Sequence, residues 1–351
     1  MMEDGYHIVE RQAKRGCPQG SVLGPKFWNI VMDDLLRQLE ELPNTQPIAY
    51  ADDLAILIPG NSRRALEERG AAAMAIVESW ASSNKLTVSE RKTVGMLLKG
   101  ELHHRRPPAI PTAGGNLRFR ESVRYLGVTL QGGLKIDDHV TETANKAKRL
   151  FHALARLGGQ GWGYQAVNYV VLYKVLFQSI CAYAAHGWAR RLRQRHQRQL
   201  LAAQRQALIR TTKAYATAST DCLPVVAGVL PIDLYIQRRI RRYRNSRGQP
   251  TVIGHVIIRV ENYEDSDGIE NARKLVEEGM VVAWQRIWDL FQKGRHTYAF
   301  FPNVSSRLRT RLFVATHYIT QMITGHGAFK ERVHRLGLPE DSRCSCPLGG
   351  A

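Results

Sequence analysis

Two adjacent carboxylates, Asp52 and Asp53, lie in an otherwise apolar stretch at residues 48–58. Burial and mutual repulsion both disfavour the ionised forms of such a pair, so a compensating cation is expected, most often a divalent metal ion. A strand–turn–strand hairpin with paired aspartates at its tip can hold Mg²⁺ for transfer chemistry at phosphorus. An ordinary turn between two strands has the same short pattern, so the interpretation depends on the neighbouring segments.

The segment before the aspartates contains a loop and a helix. Gly16-Cys17-Pro18-Gln19-Gly20-Ser21 has the glycine and proline content of a sharply shaped loop, and Ser21 is a candidate helix N-cap. The apolar residues that follow recur at a spacing of three and four and predict one buried helix face. That predicted face consists of Phe27, Ile30, Val31, Leu35 and Leu39.

The segment after the aspartates predicts a second helix and then strands. Ser62 is expected to begin an amphipathic helix that buries Leu66, Ala73, Ile76, Val77 and Trp80. Residues 92–98 and 123–130 have the composition of strands, with Gly127 at a bulge or a close backbone approach. The predicted order is therefore loop, helix, aspartate hairpin, helix, strand and strand.

These motifs together resemble the palm of reverse transcriptases from insect non-LTR (LINE-like) retrotransposons. The resemblance rests on residues 16–21, on Tyr50-Ala51-Asp52-Asp53, on Lys92-Thr93 and on Tyr125-Leu126-Gly127, in the family's order. Similarity continues through the second half of the chain as far as residues 324–327. Each motif alone is weak, whereas four in the right order and at sensible spacing are specific.

The resemblance implies nucleotidyl transfer, in which a primer 3′-hydroxyl attacks the α-phosphate of an incoming nucleotide with the help of two Mg²⁺ ions. It makes Asp52 the main metal-bridging carboxylate, with Asp53 as the second ligand or its support. Gln19 and Gly20 would lie beneath the templating base and the nucleotide. Lys92 would neutralise the triphosphate or protonate the leaving pyrophosphate, although a surface lysine at the start of a strand explains it equally well.

The resemblance also implies a primer grip and a thumb. Tyr125, Leu126 and Gly127 would press on the primer backbone, while simple core packing of Tyr125 and Leu126 stays open. His139 matches a position at the start of the first thumb helix, where we expect packing or capping and no catalysis. The implied partners are an RNA template and a DNA primer.

One departure from the family concerns the third carboxylate, which the family places on a strand tens of residues before the loop. Only fifteen residues precede Gly16, and Glu3, Asp4 and Glu10 lie in no comparable apolar strand. We therefore expect a chain truncated at both ends, without the fingers and the first catalytic strand, and inactive as a polymerase on its own. The alternative is a non-catalytic RNA- or DNA-binding remnant of a retrotransposon.

The charge of the chain predicts a polyanionic partner. Lysine and arginine number 50 against 31 acidic residues, which gives a net charge of +19, and phosphate contacts of such a surface are strongly salt-dependent. Either arginine cluster alone is as often a solvated helix face, but two clusters behind a palm-like segment favour nucleic-acid binding. The clusters are Arg190, Arg191, Arg193, Arg195, Arg198 and Arg205, and Arg238, Arg239, Arg241, Arg242, Arg244 and Arg247.

Composition also indicates the compartment. Residues 1–15 lack the apolar core of a signal peptide. Residues 169–185 are interrupted by Lys174 and Gln178, so we predict a buried helix and no membrane span. Five scattered cysteines give no disulfide framework. We expect an intracellular protein, nuclear or cytoplasmic, that is not secreted; the sequence does not indicate an oligomeric state.

The expected fold class is α+β, in three regions. Residues 1–135 are a partial palm, an antiparallel sheet with helices and the aspartate hairpin; residues 136–248 are a helical thumb; and residues 249–351 are a helical C-terminal region ending in an incomplete zinc knuckle. Helices are predicted at 140–157, 165–188, 194–211, 234–244, 272–294 and 308–323, with a loop at 219–231 and a linker at 245–250.

The last cysteines predict no bound zinc. Cys344 and Cys346 are separated by one residue, a tighter spacing than structural zinc sites use, and no further ligand follows them. His326 and His334 are the remaining side chains that would have to complete a site.

Overall fold

The computed structural model describes residues 2–4, 7–9, 16, 20–100, 102, 106–156, 166–254, 256–258, 266–310, 315–327, 329 and 337. The chain divides into two compact units. Unit 1 comprises Met1–Val123 with Gln131–Leu134, and unit 2 comprises Arg124–Leu130 with Lys135–Ala351. Helices and short strands are mixed, as expected for an α+β fold.

Unit 1 combines two long helices with short strand pairs. Strands pair antiparallel as β1–β2, β3–β4 and β6–β7, and parallel as β5–β8. The bounds are β1 Met2–Asp4, β2 His7–Val9, α1 Gly24–Glu40, β3 Gln46–Tyr50, β4 Asp53–Leu57, α2 Arg63–Ser83, β5 Val94–Gly95, β6 Pro111–Thr112, β7 Gly115–Asn116 and β8 Arg118–Phe119. The strand predicted at 92–98 is therefore limited to β5.

Helix α1 buries a different stripe from the predicted one. Phe27, Ile30 and Val31 are exposed, and Ile30 keeps 68% of its surface accessible. A spacing of four drifts by about 40° per step around a helix of 3.6 residues per turn, so Phe27 and Leu39 cannot share one narrow face. The stripe that packs into the unit 1 core consists of Trp28, Met32, Leu35 and Leu39.

Helix α2 begins where the sequence predicted. The Ser62 side chain accepts a hydrogen bond from the Ala65 backbone N–H at 3.1 Å, which satisfies one of the free N–H groups of the first turn. Ala73, Val77 and Trp80 are buried against the same core as α1. The N-cap prediction is confirmed.

A further hairpin joins β9 (Ser122–Tyr125) to β10 (Val128–Gln131). The rest of unit 2 is largely helical. Its elements are α3 Asp137–Ala155, α4 Ala166–Leu172, a π-helical segment Tyr173–Gln178, α5 Ser179–Cys181, α6 Ala185–Trp188, a 3-10 turn Ala189–Arg191, α7 Gln194–Thr212, α8 Cys222–Ala227, α9 Ile232–Asn245, β11 Thr251–Ile253, β12 Val256–Ile258, α10 Ser266–Leu290, α11 Arg295–Phe300, α12 Val304–Arg309 and α13 His317–Thr324.

Three predicted boundaries in unit 2 are wrong. The helix expected at 165–188 is interrupted before α6, where Ala184 has φ 49°. The loop expected at 219–231 contains the buried helix α8, because Pro224 lies in its first turn, where a missing N–H costs nothing. The helix expected at 308–323 is divided between α12 and α13, and Thr316 caps the second.

The amide of Gln204 connects three parts of the unit 2 core. Its Nε2 donates to the Tyr173 hydroxyl at 2.8 Å and to the Leu230 carbonyl at 3.1 Å. Its Oε1 accepts a hydrogen bond from the Ile232 N–H at 3.0 Å. Since all of these groups are buried, the amide compensates for polar atoms that have lost water.

One helical stretch in the described part of the chain, Val167–Arg191, is long and apolar enough to cross a membrane by length and composition. Length and apolar content do not by themselves distinguish a span from a core helix. Tyr173, Phe177 and Cys181 of this stretch are completely buried in unit 2, which agrees with the buried helix predicted for the segment.

Candidate active site

The turn between β3 and β4 carries both aspartates. Tyr50 pairs with Asp53, so that Ala51 and Asp52 form a two-residue turn and Asp53 begins β4. Ala51 has φ 52°, a left-handed conformation that costs a residue with a Cβ roughly 1–2 kcal/mol. The Trp28 indole Nε1 donates to the Ala51 carbonyl at 2.8 Å. Helix α1 therefore positions the hairpin tip.

Both aspartate side chains are exposed, which corrects the expectation that the apolar segment buries them. The two-stranded sheet has one covered face, where Ala49, Leu54 and Ile56 pack on the unit 1 core, and its turn projects beyond that contact. Exposure makes the carboxylates accessible to a metal ion and a substrate. Within the described residues, no group of three or more His, Cys, Asp or Glu side chains gathers around a possible metal position.

The loop predicted to lie beneath the nucleotide is described only in part. Gln19 lies outside the described residues, while Gly20 is exposed and has φ 87°. Ser21 does not occupy the N-cap position, which belongs to Leu23, but its hydroxyl accepts a hydrogen bond from the Gly24 N–H at 3.2 Å. The positive φ gives a conformational reason for glycine at position 20.

Lys92 is exposed in a tight turn just before β5. The Lys92 and Thr93 N–H groups both donate to the Ser89 carbonyl, at 3.0 and 2.9 Å. Among the described side chains, Lys92 forms no ion pair with Asp52 or Asp53 within 4.0 Å. The structure therefore brings the two aspartates together on one turn and does not pair the lysine with them.

The predicted primer grip is a second two-residue turn, between β9 and β10. Leu126 and Gly127 have φ 45° and 79°, and Tyr125 precedes them at the end of β9. The Tyr183 hydroxyl donates to the Leu126 carbonyl at 3.1 Å. A Cβ on Gly127 would lie 3.0 Å from the Tyr183 ring. The sequence predicted a bulge or a close backbone approach at Gly127, and the group that lies close to it is this aromatic ring.

His139 is a packing residue of α3, as predicted. It is 4% exposed, its Nδ1 accepts a hydrogen bond from the Thr129 N–H at 3.2 Å, and its ring meets Trp188 edge-on at 4.9 Å. Burial lowers its pKa below 6.5, and Glu142 partly opposes the shift. The imidazole is therefore held neutral.

Sequence reasoning assigned no anchoring role to Trp28 or Tyr183, the side chains that donate hydrogen bonds to the two turns. Trp28 lies in α1, a helix with apolar residues on more than one face, and Tyr183 lies just after a buried helix. No local pattern distinguishes an aromatic residue that packs from one whose polar atom reaches a distant turn.

Comparison with known proteins identifies the family. The profile described as reverse transcriptase (RNA-dependent DNA polymerase) matches residues 2–130. A retrovirus-related Pol polyprotein from the type-1 retrotransposable element R1 2 of Nasonia vitripennis is 32% identical over 337 residues, covering 94% of this chain and 81% of that protein. This chain belongs to the R1 family of insect non-LTR retrotransposon proteins.

Longer R1 relatives match along nearly the whole chain. The putative 115 kDa protein of the element R1DM from Drosophila melanogaster is 35% identical over 350 residues, which are 96% of this chain and 33% of that protein. The R1 Pol polyprotein of Bradysia coprophila is 32% identical over 342 residues, 97% of this chain and 34% of that protein. The chain thus spans about a third of these two relatives. No solved structure matches it.

The reverse-transcriptase match includes both hairpin turns and Lys92. The family resemblance inferred from the sequence, to insect non-LTR retrotransposons, is confirmed, and the relatives narrow it to the R1 type. Reverse transcriptases are nucleotidyltransferases that use divalent metal ions and bind a nucleic-acid template and primer. Cys344, Cys346 and His334 lie outside the described residues, and the His326 ring contacts the Thr217 hydroxyl at 3.0 Å.

Proposed function

We propose that this R1-type chain takes part in RNA-directed DNA synthesis, with Asp52 and Asp53 as the metal-binding carboxylates. The observation that supports the proposal is the β3–β4 turn, which presents both side chains to solvent inside the segment that matches reverse transcriptases. The hydrogen bond from Trp28 holds this turn on α1. A metal ion is positioned precisely when its carboxylate ligands are held on a rigid support.

The donor set fits Mg²⁺. This ion prefers oxygen ligands and is usually bound by one or two carboxylates together with substrate phosphates and water. When bound, divalent ions stabilise negative charge on the attacking and leaving oxygens. Asp52 would contribute the main ligand and Asp53 the second, and their exposure leaves room for the substrate phosphates.

The other motif residues take supporting roles in this proposal. Gln19 and Gly20 lie beneath the templating base and nucleotide, Lys92 approaches the triphosphate, and residues 125–127 contact the primer backbone. Residues 1–135 would then be the palm, 136–248 the thumb and 249–351 a helical C-terminal region. The site of action would be inside the cell, where the RNA template and DNA primer are found.

The first test measures metal binding directly. Water-proton relaxation reports Mn²⁺ bound to the purified chain in the presence of template–primer and a non-hydrolysable nucleotide. We expect Asp52→Asn to weaken Mn²⁺ binding at least tenfold, because a bridging carboxylate is lost. The matched control is Asp34→Asn, which removes another exposed aspartate of unit 1. Equal losses in the two variants would contradict the assignment.

The second test is Mg²⁺-dependent primer extension on an RNA template. Incorporation that disappears in an Asp52→Ala, Asp53→Ala double variant would show that this chain catalyses the reaction by itself. Incorporation that survives in the double variant would exclude these carboxylates. If neither protein incorporates nucleotides, the metal-binding measurement decides whether the two aspartates bind the ion.

A further inference from the structure

Helix α9 uses several of its arginines internally. Arg238 and Arg242 both contact the Glu277 carboxylate of α10, at 2.7 and 3.4 Å. The Arg241 Nε donates to the Val252 carbonyl of β11 at 3.1 Å, and burial lowers the pKa of this guanidinium. These side chains attach α10 and β11 to α9. The expectation that the whole arginine cluster forms a nucleic-acid track is therefore too broad.

Another set of α9 residues remains at the surface and is organised differently. Arg239 and Tyr243 are four residues apart, which places them on one side of α9, and Arg247 lies in the turn that follows the helix. All three are exposed. The Arg247 guanidinium lies 5.6 Å from the centre of the Tyr243 ring, in cation–π contact.

Helix α6 adds a second ring to this side of α9. His186 stacks on Tyr243 with ring centres 3.9 Å apart and planes within 16° of parallel. Both α6 and the 3-10 turn that contains Arg190 pack against α9. We call His186, Arg190, Arg239, Tyr243 and Arg247 the stacked surface. The two exposed rings are nearly parallel and the Arg247 guanidinium lies beside one of them, so flat apolar surface and positive charge occur together.

Competing carboxylates are scarce near the stacked surface. Between residues 186 and 254 the sequence has only two acids, Asp221 and Asp233. Burial raises the pKa of both. Asp233 lies in the first turn of α9, about 15 Å along the helix from Tyr243 at 1.5 Å per residue. Glu277 of α10 already contacts two arginines. The segment that carries the stacked surface is therefore strongly positive.

We propose that the stacked surface binds a single-stranded segment of nucleic acid, with a base stacked on the His186–Tyr243 pair and phosphates bound by Arg190, Arg239 and Arg247. Bases stack on aromatic rings whatever their sequence, and guanidinium groups bind phosphate oxygens in pairs. The bases of a duplex are stacked on each other, so a duplex would contact the arginine side chains and would not stack on the His186 and Tyr243 rings. The contact needs no metal ion and is separate from the proposed chemistry of Asp52.

Fluorescence anisotropy of labelled 12-mers in EDTA tests the proposal, using oligo-dT and oligo-U in parallel to separate DNA from RNA. We expect Tyr243→Leu and His186→Leu to weaken binding of at least one oligomer about tenfold, within the range for loss of one stacked base. Tyr243→Phe should bind like the wild type because the ring remains. Arg239→Gln should lower the slope of log affinity against log salt by about one.

A 2-aminopurine base in the oligomer gives a signal that charge alone does not produce. Its fluorescence should be quenched by the wild type and by Tyr243→Phe, and not by Tyr243→Leu. The matched charge control is Arg286→Gln, which removes an exposed arginine of α10; it should leave the quenching unchanged. Circular dichroism and thermal melting check that each variant is folded. If Tyr243→Leu does not fold, the proposal is tested with His186→Leu and Arg239→Gln.

Two results would overturn the inference. One is Tyr243→Leu or His186→Leu protein that folds, binds both oligomers as tightly as the wild type and still quenches 2-aminopurine. The other is a blunt duplex of equal length that binds as tightly as the single strands and is equally sensitive to the ring substitutions. If Asp52→Asn leaves Mn²⁺ binding unchanged while the oligomers still bind the stacked surface, the proposed function alone is contradicted.

Discussion

The β3–β4 and β9–β10 hairpins both turn on two residues, and in both an aromatic side chain donates a hydrogen bond to the first turn carbonyl. Trp28 donates to Ala51 at 2.8 Å, and Tyr183 donates to Leu126 at 3.1 Å. Both first residues have positive φ. The two turns therefore share a positive φ at the first turn residue and a mode of attachment, although they lie in different units.

The two turns differ in their second residue and in what lies beside it. Asp52 is exposed at the tip of the first turn, whereas Gly127 of the second lies against the Tyr183 ring. Both turns are exposed, but the first presents a carboxylate at its tip, whereas the second has a tyrosine ring beside its glycine. The comparison shows that a single hydrogen bond from an aromatic side chain attaches one turn to helix α1 and the other to the helical part of unit 2.

The largest effect is expected from removing the buried amide of Gln204 from the core of unit 2, the unit that also contains the second turn. Gln204→Leu would leave the Ile232 N–H and the Leu230 carbonyl without the amide, and buried groups of this kind cost about 1–3 kcal/mol each. We expect the free energy of unfolding to fall by about 3 kcal/mol in urea titrations. Gln206→Leu, an exposed change on the same helix, is the control; equal losses would contradict the role of Gln204.

A smaller effect tests the glycine of the second turn. Gly127→Ala would place a Cβ at positive φ and 3.0 Å from the Tyr183 ring. We expect a loss of about 1–2 kcal/mol from the left-handed backbone alone, measured by thermal and urea unfolding. The matched change in the first turn is Ala51→Gly, which removes a Cβ at positive φ and should raise stability slightly. The same sign for both would refute the comparison.

Removing the two hydrogen bonds tests whether they position the turns. Trp28→Phe and Tyr183→Phe keep a ring and delete the donor, and each should cost about 1 kcal/mol of stability. Only Trp28→Phe should also weaken Mn²⁺ binding to the Asp52 turn, because α1 no longer holds it. An equal effect of both variants on Mn²⁺ binding would remove the distinction between the turns.

The smallest effect concerns pH and the second hairpin, whose Thr129 N–H donates to His139. Burial lowers the pKa of His139 from 6.5, so the unfolded chain takes up this proton more readily than the folded one. The stability contribution is therefore complete above about pH 6.5 and is lost as the pH falls towards the folded-state pKa. His139→Asn should flatten the pH dependence of unfolding between pH 7.5 and 5.5, and an unchanged slope would contradict this account.

Local sequence patterns predicted what depends on neighbouring residues. Ser62 caps α2 because its hydroxyl is within reach of an N–H three residues later, and the apolar strands around Asp52 and Asp53 pair as a hairpin. The order of the motifs sufficed to identify the reverse-transcriptase family. The same patterns failed at α1, where several apolar stripes were possible. They also failed at α8, where Pro224 suggested a loop.

The amino-acid sequence by itself determined the family, the aspartate turn and the strongly positive charge, because these depend on residue type and order. The tertiary structure alone decided which side chains remain available. Trp28 and Tyr183 reach turns that are 23 and 57 residues away in sequence. At least five of the twelve clustered arginines bind other parts of the protein: Arg195, Arg205, Arg238, Arg241 and Arg242. Contacts between distant segments leave no local pattern, since they arise only when packing brings the segments together.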